Sequence, residues 1–317
     1  MYAAIGTGPG EEMISARRAG IVTLVVVVAV LTAAQGASSR SNPGASSRAG
    51  VVTVHPSKVL VVIEENHSFS QMKAGMPYLF ALSKKYGYAT NWAAITHPSL
   101  PNYLAISGGT TFGITDDRAP QAHYGEVGSA RSVFDQAINA GKTAKTYAES
   151  MPTNDNCHLL DYPTTGASYA VRHNPWTYFS ASRTRCKTFD VPTTSFAADA
   201  KANHLPNVGF VTPNLCNDAH NCSLATADNW LKAALPNVLA SSDFTSGKLA
   251  VVVLADEDDR KSGNKVLASV LSPRLAGKVV TTALTHYSLT RYIAQVLGVA
   301  PLQNGASAPD MKAAFGL

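Results

Sequence analysis

The chain has 317 residues, 45% of them hydrophobic and 15% charged, with a formal net charge of +5. Roughly 265 residues remain once the N-terminal region is set aside, enough for one large domain with a substantial core. The positive charge is modest and scattered, which excludes the clustered Lys/Arg footprint of a nucleic-acid surface.

Taken in chain order, the first 50 residues read as an export signal and a spacer. Arg17 and Arg18 precede an apolar stretch from Ala19 to Ala34, followed by the small residues Ala33-Ala34-Gln35-Gly36-Ala37. That is the basic, apolar and small-residue succession of a signal peptide. The apolar run falls short of the ~20 residues that span a bilayer comfortably. Residues 1–36 are therefore expected to be an N-terminal extension plus signal, with an uncleaved membrane anchor as the alternative and Met13 as an alternative start. A Ser/Gly/Pro-rich linker is expected over 37–52, and one domain over 53–317. The expected localisation is extracytoplasmic.

Within that domain, Lys58–Ile63 is a short β-branched run of the kind buried on both faces of a parallel sheet. Pro77–Tyr86 carries Leu79, Leu82 and Tyr86 on one helical face, and Gly87 stops it. A second helix is expected over Ser132–Ala140, then a strand near Thr143–Tyr147. The segment from about Asp155 to Asp190 lacks periodicity and is expected to be a loop-rich insertion. Asn207–Thr212 and Leu249–Leu254 read as two more buried strands, with helices around Ala227–Leu239 and Ser288–Leu297. Strands alternating with helices predict an α/β fold with a mainly parallel sheet covered on both sides.

Four cysteines, Cys157, Cys186, Cys216 and Cys222, suit two disulfides in an oxidising compartment. Three pairings are possible; the local ones, Cys157–Cys186 and Cys216–Cys222, are the expectation. A zinc site is the weaker alternative, because no C-x-x-C pair is present.

Chemistry collects after the strands. Lys58–Ile63 runs into Glu64-Glu65-Asn66, Leu249–Leu254 into Ala255-Asp256-Glu257-Asp258-Asp259, and Asn207–Thr212 into Pro213-Asn214, with Asp218 and His220 following. In an open α/β sheet, ligands bind beyond the carboxyl ends of the strands. A single acidic turn is usually only solvated; two such turns plus an Asn/Asp/His group point to a divalent ion, for which Mg, Ca, Mn, Zn and Fe all suit the donors. In Thr96-His97-Pro98-Ser99-Leu100-Pro101-Asn102-Tyr103, Pro101 fits the first turn of a helix, leaving Ser99 at or just before its N-terminus. Free N–H groups there would favour a phosphate, and Asn102 would add an amide donor. From this segment alone, Ser99 is either a simple N-cap or a nucleophile.

With these residues in place, the chain resembles the bacterial and fungal phosphoesterase family of secreted acid phosphatases and phospholipases C, within the alkaline-phosphatase superfamily. The resemblance runs from about Lys58 to Leu302 through VVIEENHSFSQ (61–71), THPSLPNYLAISGGTTFGITDD (96–117), RHNPWTYF (172–179), TPNLCNDAHNCS (212–223), DEDD (256–259) and HYSLTRYI (286–293). SLPNY is also similar to the nucleophile turn of nucleotide pyrophosphatases, which favours the nucleophile reading of Ser99. The resemblance implies an alkaline-phosphatase-like three-layer sandwich. It also implies a divalent ion held by Glu65, Asn66, Ser99, Asp256 and Glu257, with Asp218 and His220 beside it.

By the same resemblance His286 is a supporting group, proton donor or ligand of a second ion. His97 and His173, with Asp218, are expected to hold substrate phosphate, the two histidines having packed loop positions as the alternative, and Pro175, Trp176 and Tyr178 either wall the pocket or form the loop's own small core. Three departures stand out: Thr285 where the family often has Asp, Leu254-Ala255 before the acidic motif, and His67 in place of a more basic residue. The implied reaction is a two-step phosphoryl transfer through Ser99, with His220 or His286 protonating the leaving group. Expected substrates are small phosphate esters or phospholipid head groups, with transient membrane contact allowed. A phospholipase C-type phosphodiesterase and a non-catalytic binding protein are the alternatives.

Overall fold

The structure is a computed structural model and describes residues 55–166 and 168–317. The expected signal segment 1–36, the start at Met13 and the linker 37–52 lie outside the described residues. Nine strands form one sheet: β1 (Lys58–Glu64), β2 (Gly87–Ala93), β3 (Ala144–Ala148), β4 (Asp190–Pro192), β5 (Val208–Thr212), β6 (Leu249–Ala255), β7 (Lys265–Leu271), β8 (Lys278–Val280) and β9 (Leu284–Thr285). Their order is β4-β3-β5-β1-β6-β7-β2-β8, with β9 alongside β2. Every pairing is parallel except β6–β7 and β7–β2. Because β7 alone is reversed, β2 runs the same way as β1, β5 and β6, so all four open at one edge.

The apolar runs legible in the sequence form the centre of this sheet. In β5 and β6 every residue is buried, and β1 is buried from Val59 onward. Strands buried on both faces need cover on both sides, and the helices supply it in two groups. Helices Ser99–Gly108, Val133–Asn139 and His286–Leu297 pack together, as do Phe69–Gly75, Pro77–Lys85 and Leu224–Ala234. The α/β sandwich with a mainly parallel sheet is as expected.

Three elements differ from expectation. The helix expected over Ala227–Leu239 is two, Leu224–Ala234 and Pro236–Ala240, because Pro236 cannot continue the first and instead opens the second. Strands β2 and β7 were not anticipated: β2 carries interleaved polar residues, and β7 buries Ser269, whose hydroxyl is satisfied by Ser83 Oγ at 2.7 Å. The insertion is short 3-10 turns plus one helix, Arg183–Phe189. Its aromatics do not wall a pocket. Trp176 stacks on Phe134 with centroids 4.6 Å apart, and Tyr178 donates to the carbonyl of Arg118.

The disulfides are Cys157–Cys186 and Cys216–Cys222, and no cysteine is free among the described residues, so the zinc alternative falls. Beside the first lies Asp190, fully buried, accepting hydrogen bonds from Thr146 Oγ1 and Asn174 Nδ2. Burial pushes its pKa up to about 7 against the pull of those donors. The folded chain therefore keeps a proton that the unfolded chain releases above its ordinary pKa, near 4. Stability from this group is full below that value and is lost as pH rises through 7, by on the order of a few kcal/mol. Asp190→Asn, at the cost of the Asn174 hydrogen bond, is expected to flatten that fall. Urea unfolding of both proteins at pH 4.5 and 7.5 measures the difference, and parallel pH slopes would contradict the assignment.

Candidate active site

The turns after β1, β5 and β6 are stitched to one another. Beyond β1 the chain turns at Asn66, which adopts the left-handed conformation (φ 56°) that Asn tolerates better than most residues. Glu65 N–H donates to the Asp218 carbonyl at 2.8 Å, Asn66 N–H to Asp256 Oδ1 at 3.1 Å, and Asp256 N–H to the Glu64 carbonyl at 2.9 Å. His67, one of the departures, donates from Nδ1 to the Glu65 carbonyl at 2.6 Å and so fixes the same turn.

Glu65 is fully buried and its two oxygens face different neighbours. Oε1 accepts from Tyr103 Oη at 2.6 Å and lies 3.3 Å from His173 Nε2. Oε2 accepts from Ser99 Oγ at 3.0 Å and from Asn66 Nδ2 at 3.3 Å. Ser99 is the first residue of helix Ser99–Gly108, behind Pro98, and makes no capping hydrogen bond. Its hydroxyl is turned to Glu65, so the N-cap reading does not describe it. The helix N-terminus is also less open than expected: the Leu100 N–H is taken by Asp117 Oδ1 at 2.9 Å.

Around this pair the acids are buried and mutually repelling. Burial, then Asp256 and Asp218, hold Glu65 well above the ordinary carboxylate range. Burial raises Asp218 as well, drives Asp256 up to about 6, and, with Asp256 beside it, drives Glu257 up to about 9. Four carboxylates this close must either take up protons or share a cation. Asp256 Oδ2, Asp218 Oδ2 and His173 Nε2 are buried without a hydrogen bond. Glu65, His173 and Asp218 each offer a ligand atom, all within 4.8 Å of one another. An oxygen-rich, partly orphaned, anionic set of this kind fits a hard or borderline divalent ion.

The other anticipated residues fall into distinct positions. Asn102 is engaged within the protein: Oδ1 accepts from the N–H groups of Ile95 and Thr96, and Nδ2 donates to Thr96 O at 2.8 Å and Glu257 Oε2 at 3.3 Å. It braces the Ser99 loop and presents no spare donor to a substrate. His173 lies flat on the Tyr103 ring, 5.1 Å between centroids, with Nε2 toward Glu65 and Nδ1 3.3 Å from Asp218 Oδ2. Fully buried between two carboxylates, His173 and Asp218 sit behind Glu65 rather than on an open phosphate face. His97 faces Glu257 Oε1 and Asp258 Oδ1, at 3.1 and 3.2 Å, and keeps some exposure.

The proton-donor reading of His286 is corrected. Trp92 Nε1 donates to its Nδ1 at 3.1 Å, and its Nε2 meets the Asp256 carbonyl. A Trp N–H can only donate and a carbonyl only accept, so the neighbours fix a neutral imidazole with both nitrogens occupied. Burial lowers its pKa to about 4. His286 is a strut behind Asp256, and Thr285, whose N–H donates to Ser288 Oγ, opens its helix. His220 is exposed: Nδ1 donates to Asn221 Oδ1 at 2.8 Å, and Nε2 accepts from Arg172 Nη2 at 3.2 Å.

Sequence reasoning missed four residues here. Tyr103 was quoted only as part of a helix, yet its hydroxyl is the shortest contact on Glu65. Arg172 and Asp117 lay inside recognised segments without a role. Asp258 is not a spare acid: it accepts the N–H groups of Arg260, Ser262 and Asn264 and shapes the acidic turn, while Asn264 Nδ2 ties that turn to the Thr96 carbonyl at 3.0 Å.

Comparison with known proteins gives the chain's kinship. The profile of the Phosphoesterase family matches residues 72–300. A phosphatidylinositol-3-phosphatase from Mycobacterium tuberculosis is 30% identical over 260 residues, covering 81% of this chain and 82% of that protein. A phosphate-repressible acid phosphatase from Penicillium chrysogenum is 33% identical over 236 residues, covering 71% of this chain; the chain spans only 55% of the fungal enzyme's length. Among solved structures, a protein in the alkaline phosphatase superfamily from Vibrio parahaemolyticus superposes with a TM-score of 0.53 at 12% identity, over 77% of this chain and 67% of that one. A phosphonate monoester hydrolase from Silicibacter pomeroyi gives 0.53 at 11% identity, over 82% and 76%. These structural likenesses speak for the fold, and the matched residues for the kinship: the chain belongs to the phosphoesterase family, on an alkaline-phosphatase-like scaffold.

Proposed function

We propose that this phosphoric ester hydrolase is a secreted, metal-dependent acid phosphatase that cleaves phosphomonoesters through a phosphoserine at Ser99. The observation that carries the reading is the Ser99 hydroxyl, uncapped at a helix start and hydrogen-bonded to buried Glu65. The two sequence relatives named above are phosphatases, which favours monoesters over a phospholipase C-type diester and supports phosphoinositides as candidate substrates. Export is supported by two disulfides. Among the described residues, no helix is long and apolar enough to cross a membrane.

Glu65, Asn66, Ser99, Asp256 and Glu257 would hold the divalent ion, which when bound supplies Lewis-acid polarisation of the phosphoryl group and relieves the repulsion among the carboxylates. Ser99 Oγ attacks phosphorus while its proton passes toward Glu65 Oε2, the atom it already faces. The P–O bond to the alcohol breaks, and exposed His220 protonates the leaving oxygen from its Nδ1–H, whose acceptor in the free protein is the surface Asn221 Oδ1. Water then attacks the phosphoserine, giving a proton back to His220 as its oxygen joins phosphorus; the bond to Ser99 breaks, Ser99 Oγ takes its proton back from Glu65 Oε2, and phosphate departs. Tyr103 keeps Glu65 in register by holding Oε1 from the other side, with His173 Nε2 3.3 Å away. Asn102 holds the Ser99 loop and Glu257 together.

Ser99→Ala is expected to lower turnover of p-nitrophenyl phosphate by about 1,000-fold or more without unfolding the protein. Assays from pH 4 to 9 with and without chelator check it, and unchanged activity in the folded variant would remove Ser99 as nucleophile. Faster turnover of the bis-ester would instead favour the phosphodiesterase.

Tyr103→Phe takes a donor from Glu65 without touching the reacting oxygen. Supporting residues of this kind typically change metal affinity by about 10- to 100-fold. Chelator-competition titration of the apoprotein is expected to show a change on that scale in Tyr103→Phe, and a wild-type affinity would show that Tyr103 does not support Glu65.

A further inference from the structure

Arg172 is the cation whose environment is least accounted for. Its side chain is only 16% exposed, and a guanidinium carries five N–H donors. One of them has a partner at hydrogen-bond distance, Nη2 on His220 Nε2 at 3.2 Å. The two carboxylates that face it stand off: Nε is 3.9 Å from Asp117 Oδ2, and Nη1 is 3.9 Å from Asp161 Oδ2. Neither distance is a hydrogen bond, so the guanidinium, on a mostly buried stem with its head still open to solvent, has most of its donors free of protein partners.

Its position gives that capacity a direction. Asp117 Oδ1 accepts the Leu100 N–H, so the carboxylate facing Arg172 Nε is seated at the N-terminus of the helix that begins with Ser99. On its other side Arg172 adjoins His173 in sequence and shares His220 with it, the two imidazole rings being 5.8 Å apart. Arg172 therefore looks across the mouth of the site toward the start of the Ser99 helix. A planar fork suits two oxygens of a phosphoryl group better than a single carboxylate held at arm's length.

We propose that Arg172 is a substrate-binding residue that clamps the non-bridging oxygens of the phosphoryl group at Ser99. Asp117 and Asp161 hold the guanidinium poised, and the phosphoryl dianion outcompetes them. His220 accepts one N–H and sets the plane of the fork. The clamp distinguishes esters by charge and by free oxygens. A monoester dianion offers two oxygens to the fork and one to the rest of the site, whereas a diester monoanion lacks the third. Arg172 is thus assigned part of the preference for monoesters. This deepens the Ser99 reading and rests on it only for the location of the phosphoryl group.

The test uses inorganic phosphate as probe, so that it does not depend on turnover. Calorimetric titration of phosphate into Ser99→Ala and into the Ser99→Ala/Arg172→Gln double variant, at equal divalent-ion concentration, is expected to show affinity weaker by on the order of 10- to 100-fold in the double variant, as for loss of charge-assisted hydrogen bonds. In the otherwise wild-type protein, Arg172→Gln is expected to raise the inhibition constant of phosphate by a similar factor. It should also lower kcat/KM for p-nitrophenyl phosphate more than for the bis-ester, and Arg172→Lys, which keeps the charge but not the fork, should recover part of the loss. Unchanged phosphate affinity in folded Arg172→Gln protein would overturn the clamp, as would an equal loss on both esters with an unchanged inhibition constant, which is what a purely structural arginine would give. Loss of the Ser99 requirement alone would overturn the nucleophile and leave the calorimetric result to speak for Arg172.

Discussion

A buried carboxylate must be compensated, and in this protein Glu65 is the one around which the compensation is arranged. With no exposure, it cannot rely on water, and Asp256, Asp218 and Glu257 crowd the same space. Each uncompensated charge there would cost several kcal/mol. The structure meets that cost with donors on both oxygens: Tyr103 on Oε1, and Ser99 and Asn66 on Oε2. The Ser99 hydroxyl is thus part of the solution to an electrostatic problem. The same surplus of negative charge that makes the region costly to fold makes it receptive to a divalent ion.

The sheet is what allows so many acids to meet. Parallel strands end at one edge, and each ending strand exposes backbone groups that no neighbour continues. Here those groups pair with the turns beyond the adjacent strands: Glu65 with Asp218, Asn66 with Asp256, Asp256 with Glu64. The reversal of β7 matters for this reason. It returns β2 to the common direction and delivers the Thr96–Ser99 loop to the edge where β1, β5 and β6 open. Apolar burial in the middle of the sheet fixes the strands, and the strands fix the acids to within hydrogen-bond reach.

What the sequence made legible follows from this division. Val59–Ile63, Val208–Val211 and Leu249–Leu254 are unbroken apolar runs, and nothing but a doubly covered strand explains them, so the central strands and the acids after them could be read directly. Strands β2 and β7 were hidden because their polar residues are satisfied by contacts distant in sequence, such as Ser269 with Ser83. The site was legible by residue type but not by role. Asn102 and His286 were legible as candidate catalytic groups, yet their hydrogen bonds are spent on the protein itself, which only the fold can reveal. Tyr103 and Arg172 carried no signal beyond their neighbours, since a buried tyrosine in a helix is ordinarily core.

The histidines show how burial divides one residue type into different tasks. His286 sits between a group that can only donate and one that can only accept, and burial lowers its pKa to about 4. It therefore stays neutral above that pH, and its contact with the Asp256 carbonyl does not change charge there. A strut that titrated in the working range would carry Asp256 with it. His220, exposed at the mouth with its Nε2 lone pair turned to Arg172, is placed the opposite way. Its Nε2 stays on the guanidinium and fixes the plane of that fork, while its Nδ1–H is held at the surface by Asn221 Oδ1 alone.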